Sequence, residues 1–458
     1  MKVIKFGGSS LADAKQIKKV CEIVLADKER RAVVVSAPGK RFDGDTKVTD
    51  LLISLAKAGR NSENWKDELD AVVSRFDEIA KGLGLDRRIV KDIRNDLLVR
   101  VTNKDLSDAK YLDLLKAAGE DNCAKIVAEY FNNIGVAAEY INPKIAGMLL
   151  SDEFGNARVL PVSYDLLSSL KEHKKLIVFP GFFGASPAGD IVTFSRGGSD
   201  VTGGILAAAL DADVYENFTD VDFVFAANPK VVDNPKPIKY FTFEEMRELS
   251  YMGFSVLHED ALEPVFRKNI SVNIRNTNNP DSPGTMIVSD DDPNYPPMKD
   301  TPVVGIAADK GFMTIHVYKY MLNREIGFGR RLLQIIEEEG ISYEHTPSGI
   351  DSISIVLKEC YCNDAQLDRI IKKIYSELKV DTIKVERDMA IVMIVGRGMV
   401  RNVGISCRAT SALAKANINI RMINQGSSEV GIMFGVDESR KDDSIRALYD
   451  EFFKEERS

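Results

Sequence analysis

The chain has 458 residues, of which 44% are hydrophobic and 28% charged, and its formal net charge is −8. This composition excludes a disordered chain, and the length predicts about three domains. Five cysteines, an odd number without CxxC spacing, indicate reduced thiols in a cytoplasmic protein, and four separated histidines argue against a zinc site. The acidic balance disfavours a nucleic-acid partner, and no apolar run reaches the ~18 residues of a membrane span.

Short apolar runs alternate with helical patterns over the first two thirds of the chain. Continuous Val and Ile runs between helices indicate strands that are covered on both faces, which is typical of a three-layer α/β domain. A helix is predicted at residues 13–25, and residues 61–135 are predicted to form a charged helical layer or lid. Strands are predicted at residues 3–6, 33–35, 176–179, 191–194, 214–217 and 272–274.

A domain boundary is predicted at residues 289–301, which are acidic and rich in proline. Beyond this boundary the sequence repeats. Residues 313–357, shifted forward by 77 positions without a gap, place Ile315 on Val392. Each copy has a strand, a glycine-rich turn, a helix with one apolar face and two further strands, so the repeat predicts two small α+β modules.

The first motif with chemical meaning is KFGGSS at residues 5–10, between the first strand and the first helix. Glycines let phosphate oxygens approach backbone N–H groups at a helix start, and a lysine supplies positive charge for phosphoryl transfer. The alternative is a purely structural Gly-Gly turn. The segment SAPGK at residues 36–40 is not a P-loop, because Val34 stands where glycine is needed and Arg41 follows the lysine.

A second glycine motif, TFSRGGSD at residues 193–200, follows a predicted strand and opens a helix of small residues. Its Arg196, Ser199 and Asp200 combine a clamp for a carboxylate, a hydroxyl donor and an acid that orients charge. The alternative is that the serine or the aspartate only caps the helix. The pair Thr219-Asp220 lies at another strand end, where open α/β sheets bind ligands, although a plain Asx-turn explains this pair as well.

Five segments, taken together in chain order, resemble the aspartate kinases of the amino acid kinase family in their monofunctional form. The resemblance extends over nearly the whole chain, and the joint pattern is specific although each turn alone is a weak signal. The segments are KFGGSS at 5–10, SRGGSD at 195–200, FTDV at 218–221, VLH at 256–258 and QGSSE at 425–429.

The resemblance implies an α/β fold in which a three-layer amino acid kinase domain at residues 1–293 precedes two α+β ferredoxin-like ACT modules. These modules are expected at residues 301–380 and 381–458, with residues 301–310 contributing a strand to the second one. Such enzymes use ATP to phosphorylate the side-chain carboxylate of L-aspartate to 4-phospho-L-aspartate, the first step of the lysine, threonine and methionine pathway. Mg²⁺ is expected to bind through ATP, with no metal ligand from the protein.

The resemblance further implies feedback regulation by an amino acid at the ACT modules, with lysine ahead of threonine, and a homodimer or higher oligomer formed through these modules. Roles carry over residue by residue. The implied catalytic residues are Lys5, Glu120, Arg196 and Asp200. The implied ATP contacts are Lys5, Gly7, Gly8, Ser9, Thr219, Asp220, Phe225 and Lys230. The implied aspartate contacts are Ser36, Thr49, Glu120 and Arg196, and the implied effector contacts are Met321, Asn323, Gly327, Phe328, Glu344 and Ser348.

The chain departs from the family pattern at several of its expected nucleotide and substrate contacts. Ser255 stands for a lysine that reaches ATP, and Lys230 stands for an arginine, which is not equivalent at a bidentate phosphate site. Asp50 replaces an asparagine and Phe223 replaces a glycine. Asp121-Asn122 after Glu120 replaces an arginine and an apolar residue.

Two other functions fit part of the pattern. One is another kinase of the amino acid kinase family, acting on glutamate, acetylglutamate, carbamate or UMP. The Arg196–Asp200 cluster and the two C-terminal modules disfavour this alternative. The other is an amino-acid sensor that has lost turnover. Ser255 favours this sensor, and the intact Lys5, Glu120, Arg196 and Asp200 disfavour it. Formation of an acyl phosphate with aspartate, and not with glutamate, separates these functions.

Overall fold

The computed structural model divides the chain into two units. The N-terminal unit comprises Met1–Val224, Ile238–Ser250 and the described part of Ser255–Tyr295. The C-terminal unit comprises Phe225–Pro237, Tyr251–Phe254 and the described part of Pro296–Ser458. Across the described residues, no helix has the length and hydrophobicity of a membrane-spanning segment. The structure describes residues 1–61, 64–195, 197–254, 257, 259–292, 295, 302–426, 428 and 430–454.

The strands of the N-terminal unit alternate with helices along the chain, as the sequence predicts. β8 and β9 each have one residue in either unit. The strands are β1 Lys2–Phe6, β2 Arg30–Val35, β3 Ala138–Tyr140, β4 Leu176–Pro180, β5 Phe183–Ala185, β6 Ile191–Thr193, β7 Val214–Thr219, β8 Val224–Phe225, β9 Pro237–Ile238, β10 Tyr240–Thr242, β11 Ser271–Asn276 and β12 Thr285–Val288.

The helices of this unit surround the strands. Those between β2 and β3 form the predicted helical region, and their apolar faces belong to one buried core with β1 and β2. This region is therefore a packed layer of the domain. The helices are α1 Ala14–Leu25, α2 Val48–Arg60, α3 Trp65–Leu83, α4 Arg88–Thr102, α5 Asp108–Lys116, α6 Ala118–Asn133, α7 Pro143–Ala146, α8 Val162–Ser168, α9 Gly198–Ala209, α10 Phe243–Tyr251 and α11 Leu262–Arg267.

Among the described residues, the main sheet has eight strands in the order β10-β12-β11-β7-β1-β2-β4-β3. Neighbouring strands from β11 to β3 are parallel. Alternate residues of β1 face opposite layers, since Ile4 and Phe6 join the core of α1 to α6 whereas Lys5 pairs with Asp200 of α9. The sheet and its two helical layers confirm the predicted three-layer α/β class.

The topology of the sheet marks one edge for ligand binding. Parallel strands end at the same edge, so the loops that follow β1, β2, β4, β7 and β11 lie side by side. The chain leaves β1 towards β2 on one side and later returns to β7 on the other side. Ligands of open α/β sheets bind where the strand order reverses in this way. The ends of β1 and β7 are therefore the expected place for a site.

The C-terminal unit contains a second sheet with the order β14-β13-β15-β17-β16 in the part that the structure describes, and neighbouring strands in it are antiparallel. Its helices have apolar faces at helical spacing, which pack on the sheet. The strands are β13 Gly305–Tyr318, β14 Ser352–Lys358, β15 Thr382–Val395, β16 Met422–Gln425 and β17 Gly431–Asp437. The helices are α12 Phe328–Glu338, α13 Asp364–Leu378, α14 Ile405–Lys415 and α15 Lys441–Phe453.

Two long strands connect the repeated halves of this sheet. Residues 312–318 of β13 pair with β14 and with the first half of β15, whereas residues 305–309 pair with residues 391–395 of β15. The second half of β15 also pairs with β17. Gly311 and Asp388 have positive φ angles where the pairing shifts register. The start of β13 thus lies beside the strands of the second repeat, and the domain limits given above stay a prediction.

Arg75 on α3 connects the helical layer to the ligand-binding edge. Its guanidinium is 5% exposed and donates to Oδ2 of Asp45 at 3.0 Å and to the carbonyl of Thr46 at 2.8 Å. It also donates to the carbonyls of Gly39 at 2.9 Å and Ala12 at 3.3 Å. One buried cation therefore holds the loop between β2 and α2 against the segment that precedes α1.

We expect Arg75→Met to lower the free energy of unfolding by about 3 kcal/mol, because it leaves Asp45 and three carbonyl groups without this donor. Urea unfolding, followed by the fluorescence of Trp65 on the same helix, measures the effect, since the chain has one tryptophan. The matched control is Arg88→Met, which removes a surface ion pair with Asp86. Equal shifts in both variants would contradict the role of Arg75.

Candidate functional site

The centre of the candidate site is an ion pair between Lys5 and Asp200. Lys5 lies in β1 and is 7% exposed, and its ammonium group pairs with Oδ1 of Asp200 in the first turn of α9. The amide oxygen of Asn217, in β7, lies 3.4 Å from the same ammonium nitrogen. A buried ammonium needs such partners. The structure therefore brings together two of the residues that the sequence assigns to catalysis.

Asn217 is a site residue that the sequence analysis did not identify. Its Nδ2 donates to Oδ1 of Asp200 at 2.9 Å, so it contacts both members of the central ion pair. The signal was present, because residues 214–217 form a strand that is expected to be covered on both faces. A polar side chain inside such a strand must have polar partners.

The glycine turn after β1 folds against the loop that follows β2. The N–H of Gly7 donates to the carbonyl of Phe218 at 3.2 Å, and the N–H of Gly39 donates to the carbonyl of Gly8 at 2.8 Å. A Cβ atom on Gly8 would lie 2.9 Å from the carbonyl oxygen of Ala37, so a side chain does not fit there. The turn thus lies between β2 and β7 at the expected edge of the sheet.

The helix that follows this turn starts later than the motif suggests. Gly8–Leu11 form a short 3-10 turn, and α1 begins at Ala14 behind its own cap, Asp13. The glycine N–H groups therefore belong to this turn and do not form the start of α1, which corrects the expectation of a helix N-terminus at the glycines. Ser9 is exposed, and the buried hydroxyl of Ser10 lies 2.7 Å from that of Thr277.

The residues assigned to aspartate come from three segments that meet at one place. A Cβ atom on Gly119 would lie 2.8 Å from the Cβ of Ala37 and 3.7 Å from a methyl group of Val48. Gly119, Ala37 and Val48 are each next in the chain to a residue assigned to aspartate, so their packing brings the assigned residues together. They are Ser36 after β2, Thr49 in the first turn of α2 and Glu120 in the first turn of α6.

Glu120 is a buried carboxyl at this meeting point, 6% exposed. Burial raises its pKa to about 8, and the main-chain N–H groups of Ala37 and Glu120 and the ammonium of Lys116 oppose this rise. Its Oε2 is buried and has no hydrogen-bond partner among the described residues. Such an oxygen is suited to a ligand that carries a positive charge and N–H donors.

Lys116 brings a second positive charge to this region. Its ammonium donates to Oδ1 of Asp113 and to the hydroxyl of Thr193, both at 3.2 Å, and lies 5.5 Å from the ring centre of Phe182. Asp113 also accepts hydrogen bonds from the N–H and the hydroxyl of Thr193, each at 2.8 Å. Neither residue is predicted from the sequence to belong to the site, since a charged pair on a helix usually faces solvent.

The second glycine motif forms the start of α9. Gly197 has a φ of 74° and precedes the helix. A Cβ atom on Gly181, after β4, would lie 2.6 Å from the hydroxyl oxygen of Ser199, so this glycine allows β4 and α9 to approach. The cap of α9 is Gly197, which has no side chain, so neither Ser199 nor Asp200 caps the helix. Asp200 lies in the first turn, and its carboxylate pairs with Lys5. Arg196 lies outside the described residues.

The residues assigned to the nucleotide are divided between the two units. Thr219 ends β7, and its hydroxyl lies 3.2 Å from Oδ1 of Asp220, both in the N-terminal unit. Phe225 in β8 and Lys230 belong to the C-terminal unit, where the N–H of Lys230 donates to the side chain of Asn228 at 2.9 Å. Of the motif residues discussed above, Ser255, Val256, His258, Ser427 and Glu429 lie outside the described part of the chain.

The positions assigned to an effector lie on two loops of the C-terminal unit that hydrogen bonds hold together. The N–H of Met321 donates to Asp351 at 2.9 Å, and the N–H of Asn323 donates to the carbonyl of Ile350 at 3.2 Å. Glu344 is half-buried, which raises the pKa of its carboxyl, while Lys358 opposes the rise. The assigned positions are Met321, Asn323, Gly327 and Phe328 around the start of α12, and Glu344 and Ser348 on the second loop.

Known proteins resemble this chain over its whole length. A model of the amino acid kinase family matches residues 1–276, and a model of the ACT domain matches residues 392–452. Aspartokinase 3 of Bacillus subtilis (strain 168) is 53% identical over 453 residues, which are 99% of each chain.

Two solved structures share the fold over 99% of this chain and 100% of their own. They are the aspartate kinase of Clostridium acetobutylicum, with a TM-score of 0.85 and 40% identity, and E. coli aspartokinase III in complex with aspartate and ADP, with a TM-score of 0.79 and 25% identity. These matches confirm the resemblance that the motifs indicate. The chain therefore belongs, within the amino acid kinase family, to the aspartate kinases that carry ACT domains, phosphotransferases whose acceptor is a carboxyl group.

Proposed function

We propose that this aspartate kinase transfers the γ-phosphoryl group of ATP to the side-chain carboxylate of L-aspartate and forms 4-phospho-L-aspartate and ADP. The observation that carries the proposal is the buried Lys5–Asp200 ion pair. It lies where the strand order of the sheet reverses, beside a glycine turn that has no room for a side chain. The meeting point of Ser36, Thr49 and Glu120 follows the adjacent strand β2.

The chemistry of this reaction suits a site without a general base. The side-chain carboxylate of aspartate has a pKa of ~3.9 in model compounds, so it is ionised at neutral pH and is already a nucleophile. The difficulty lies in bringing this anion to an anionic phosphate and in balancing the charge as the bond breaks. Positive charge and fixed N–H donors, and not an activated histidine or cysteine, meet that need.

We assign roles on this basis. Lys5 contacts the transferring phosphate and Asp200 orients Lys5, while Gly7, Gly8 and Ser9 surround the phosphates. Ser36, Thr49, Glu120 and Arg196 hold aspartate, with the Glu120 carboxylate against the substrate ammonium and Arg196 against a substrate carboxylate. Thr219, Asp220, Phe225 and Lys230 contact the rest of the nucleotide.

A divalent cation belongs to this reaction, and we propose that it is Mg²⁺ and that it binds through the phosphates of ATP. Across the described residues, no group of three or more His, Cys, Asp or Glu side chains could hold a metal ion. When bound, the ion would supply positive charge to the β- and γ-phosphates.

Trapping of the acyl phosphate with hydroxylamine tests the proposal. We expect hydroxamate formation that requires ATP, Mg²⁺ and L-aspartate, and none when L-glutamate replaces aspartate. Product formation with glutamate, acetylglutamate, carbamate or UMP in place of aspartate would identify another acceptor. Binding of an amino acid without any turnover would support the alternative of a sensor.

We also propose that the reaction is the first step of the lysine, threonine and methionine pathway, and that lysine, ahead of threonine, inhibits it by binding at the ACT modules. The half-buried Glu344 supports a cationic effector, because its carboxylate can accept hydrogen bonds from a side-chain ammonium.

The exposed apolar side chains of Ile326 (98%) and Ile350 (73%) near the effector loops support a homodimer or higher oligomer through these modules. The cytoplasm is the proposed location.

Glu344→Gln is expected to weaken inhibition by lysine about 10- to 100-fold, because the amide loses a charge-assisted hydrogen bond to the effector. The lysine concentration that halves the rate, measured at saturating ATP and aspartate, checks this. The control is Glu337→Gln, an exposed position on α12, which should leave it unchanged. Normal inhibition of Glu344→Gln would exclude this residue as an effector contact, and no inhibition of the unsubstituted chain by either lysine or threonine would exclude the regulatory proposal.

A further inference from the structure

Four polar groups, of which three are buried and one, Asp200, is partly buried, form one network under the glycine turn. Oδ1 of Asp200 pairs with the ammonium of Lys5 and accepts a hydrogen bond from Nδ2 of Asn217 at 2.9 Å. Oδ1 of Asn217 lies 3.4 Å from the Lys5 ammonium. The hydroxyl of Tyr215 donates to the main-chain carbonyl of Asp200 at 3.1 Å and lies 3.4 Å from Nδ2 of Asn217. Asn217 thus contacts every other member of the network.

The orientation of the Asn217 amide follows from its partners. A carboxylate can only accept hydrogen bonds and an ammonium can only donate them, so the amide nitrogen must face Asp200 and the amide oxygen must face Lys5. In the reversed orientation the amide nitrogen would face the Lys5 ammonium, which is also a donor, and the amide oxygen would face the Asp200 carboxylate, which is also an acceptor. The group is 2% exposed, so water does not compete for these contacts.

The strand pairing explains why this contact forms. Lys5 in β1 is paired directly with Asn217 in β7, and Val3 is paired with Tyr215. Side chains of paired residues in parallel strands point to the same face of the sheet, here the face that α9 covers. Tyr215 packs tightly against that helix, since a Cβ atom on Gly203 would lie 2.4 Å from its hydroxyl oxygen. The network therefore joins two strands to the helix that carries Asp200.

We propose that Asn217 is a positioning residue for phosphoryl transfer, which holds the Lys5 ammonium and the Asp200 carboxylate in their catalytic arrangement. This inference rests on the proposed function. The Lys5 ammonium has three N–H donors, of which one is directed to Asp200 and one to Asn217. The third stays available for the phosphate, and the ammonium nitrogen lies 3.7 Å from where a Cβ atom on Gly7 would be.

Without Asn217, the ammonium loses one of its two fixed acceptors and Asp200 loses a donor. Lys5 can then rotate about its long side chain while it stays paired to Asp200. Phosphoryl transfer depends on the position of positive charge to within a fraction of an ångström, so the chemical step slows even though the charges are unchanged. Binding of ATP and aspartate should change little, because the assigned contacts other than Lys5 stay in place.

The first test compares Asn217→Leu with Asn273→Leu. Leucine has the same branched arrangement of side-chain heavy atoms as asparagine and removes both hydrogen bonds. Asn273 lies in β11 and is paired with Glu216, so it is on the opposite face of the sheet and serves as a matched control. We expect Asn217→Leu to lower kcat about 10- to 100-fold, with KM for ATP and for aspartate and the Kd for ADP within about twofold of normal. Asn273→Leu should leave kcat within about twofold.

The second test is the pH profile of Asn217→Asp, which a merely structural role would not change. Two carboxyl groups at hydrogen-bond distance keep one shared proton up to a higher pH than an isolated carboxyl does. The positive charge of the Lys5 ammonium opposes this retention of the proton. The protonated pair again has a donor between positions 217 and 200. We therefore expect kcat of Asn217→Asp, relative to the unsubstituted chain, to rise about fivefold or more between pH 8 and pH 6, while the ratio for Asn217→Leu stays flat.

The outcomes distinguish failure of the positioning role of Asn217 from failure of the proposed function. A kcat of Asn217→Leu within twofold of normal would overturn the positioning role. An equal loss in both leucine variants, or a loss confined to KM, would overturn it as well. The proposed function is judged by the unsubstituted chain alone, through its aspartate-dependent hydroxamate formation. The Kd for ADP of Asn217→Leu, measured by calorimetry, shows independently of turnover that the nucleotide site remains intact.

Discussion

Lys5→Ala is expected to lower kcat for aspartate phosphorylation by about 10³-fold or more, which places the variant at the detection limit of the hydroxamate assay. The ammonium of Lys5 is the buried cation at the glycine turn, and the reaction needs positive charge where the phosphoryl group separates from ADP. Alanine keeps the strand but removes this charge. We expect the KM for aspartate to change far less than kcat, because other residues hold the substrate.

The control for this variant must separate charge at the site from folding. Lys5→Ala leaves the Asp200 carboxylate without its cation, so some loss of stability is expected. The double variant Lys5→Ala with Asp200→Ala removes that unpaired charge and should regain melting temperature without regaining activity. Lys268→Ala breaks an exposed pair with Asp211 and should leave turnover unchanged. Turnover of Lys5→Ala within tenfold of normal would refute the assigned role.

The sequence predicts the strand ends of this site well because they depend on local pattern. The apolar pattern predicts strands at residues 3–6 and 214–217, and β1 and β7 contain them. The glycine turn at residues 5–10 was predicted at the end of the first strand and is found there. Periodicity and turn chemistry act over a few residues, so they can be read from one sequence.

The contacts of Asn217 with Lys5 and Asp200 could not be predicted in the same way. Asn217 lies more than two hundred residues from Lys5, and their contact depends on β1 and β7 being neighbours, which follows from the order of the whole sheet. A single sequence carries no signal for that order. The same holds for Arg75, whose acceptors lie in two other segments of the chain.

The repeat in the C-terminal unit shows the same limit at a larger scale. The shift of 77 residues aligns Ile315 of β13 with Val392 of β15, and both lie in long strands of one sheet. Self-similarity therefore identifies the first strand, the helix and the last strand of each copy. The first copy has isolated bridges at His345 and Ser348 where the second has β16, so the prediction of two further strands holds for the second copy only. It does not show that the two long strands pair with each other along most of their length, which connects the repeats into a continuous sheet. The pairing depends on contacts between the repeats, and these contacts have no counterpart within either repeat.

Glu120→Gln is expected to remove the dependence of aspartate binding on pH. Burial raises the pKa of the Glu120 carboxyl to about 8, so this group is protonated below that pH in the free enzyme. Only the ionised form pairs with the substrate ammonium. In the unsubstituted chain, kcat/KM for aspartate at saturating ATP should therefore fall about tenfold for each pH unit below pH 8. The amide cannot ionise, so the variant should show a flat profile between pH 6 and pH 8, about 10- to 100-fold below the plateau of the unsubstituted chain.

The same substitution should make the free enzyme more stable at high pH. The folded pKa of Glu120 lies above the unfolded value of ~4.3, so between these values the folded state holds one more proton than the unfolded state. Stability from this group is present at low pH and is lost as the pH rises through about 8. Glutamine stays neutral, and the melting temperature of Glu120→Gln should exceed that of the unsubstituted chain at pH 9 and approach it at pH 5.

Opposite effects on activity and stability distinguish Glu120 from a structural carboxyl. Glu129→Gln changes an exposed glutamate on the same helix, α6, and should alter neither the kcat/KM profile nor the pH dependence of melting. A steep pH profile that persists in Glu120→Gln would assign the titration to another group. A melting temperature of Glu120→Gln below that of the unsubstituted chain at pH 9 would show that the buried carboxylate stabilises the free enzyme. Since its Oε2 has no partner among the described residues, we expect the bound substrate to supply the donor that this oxygen lacks.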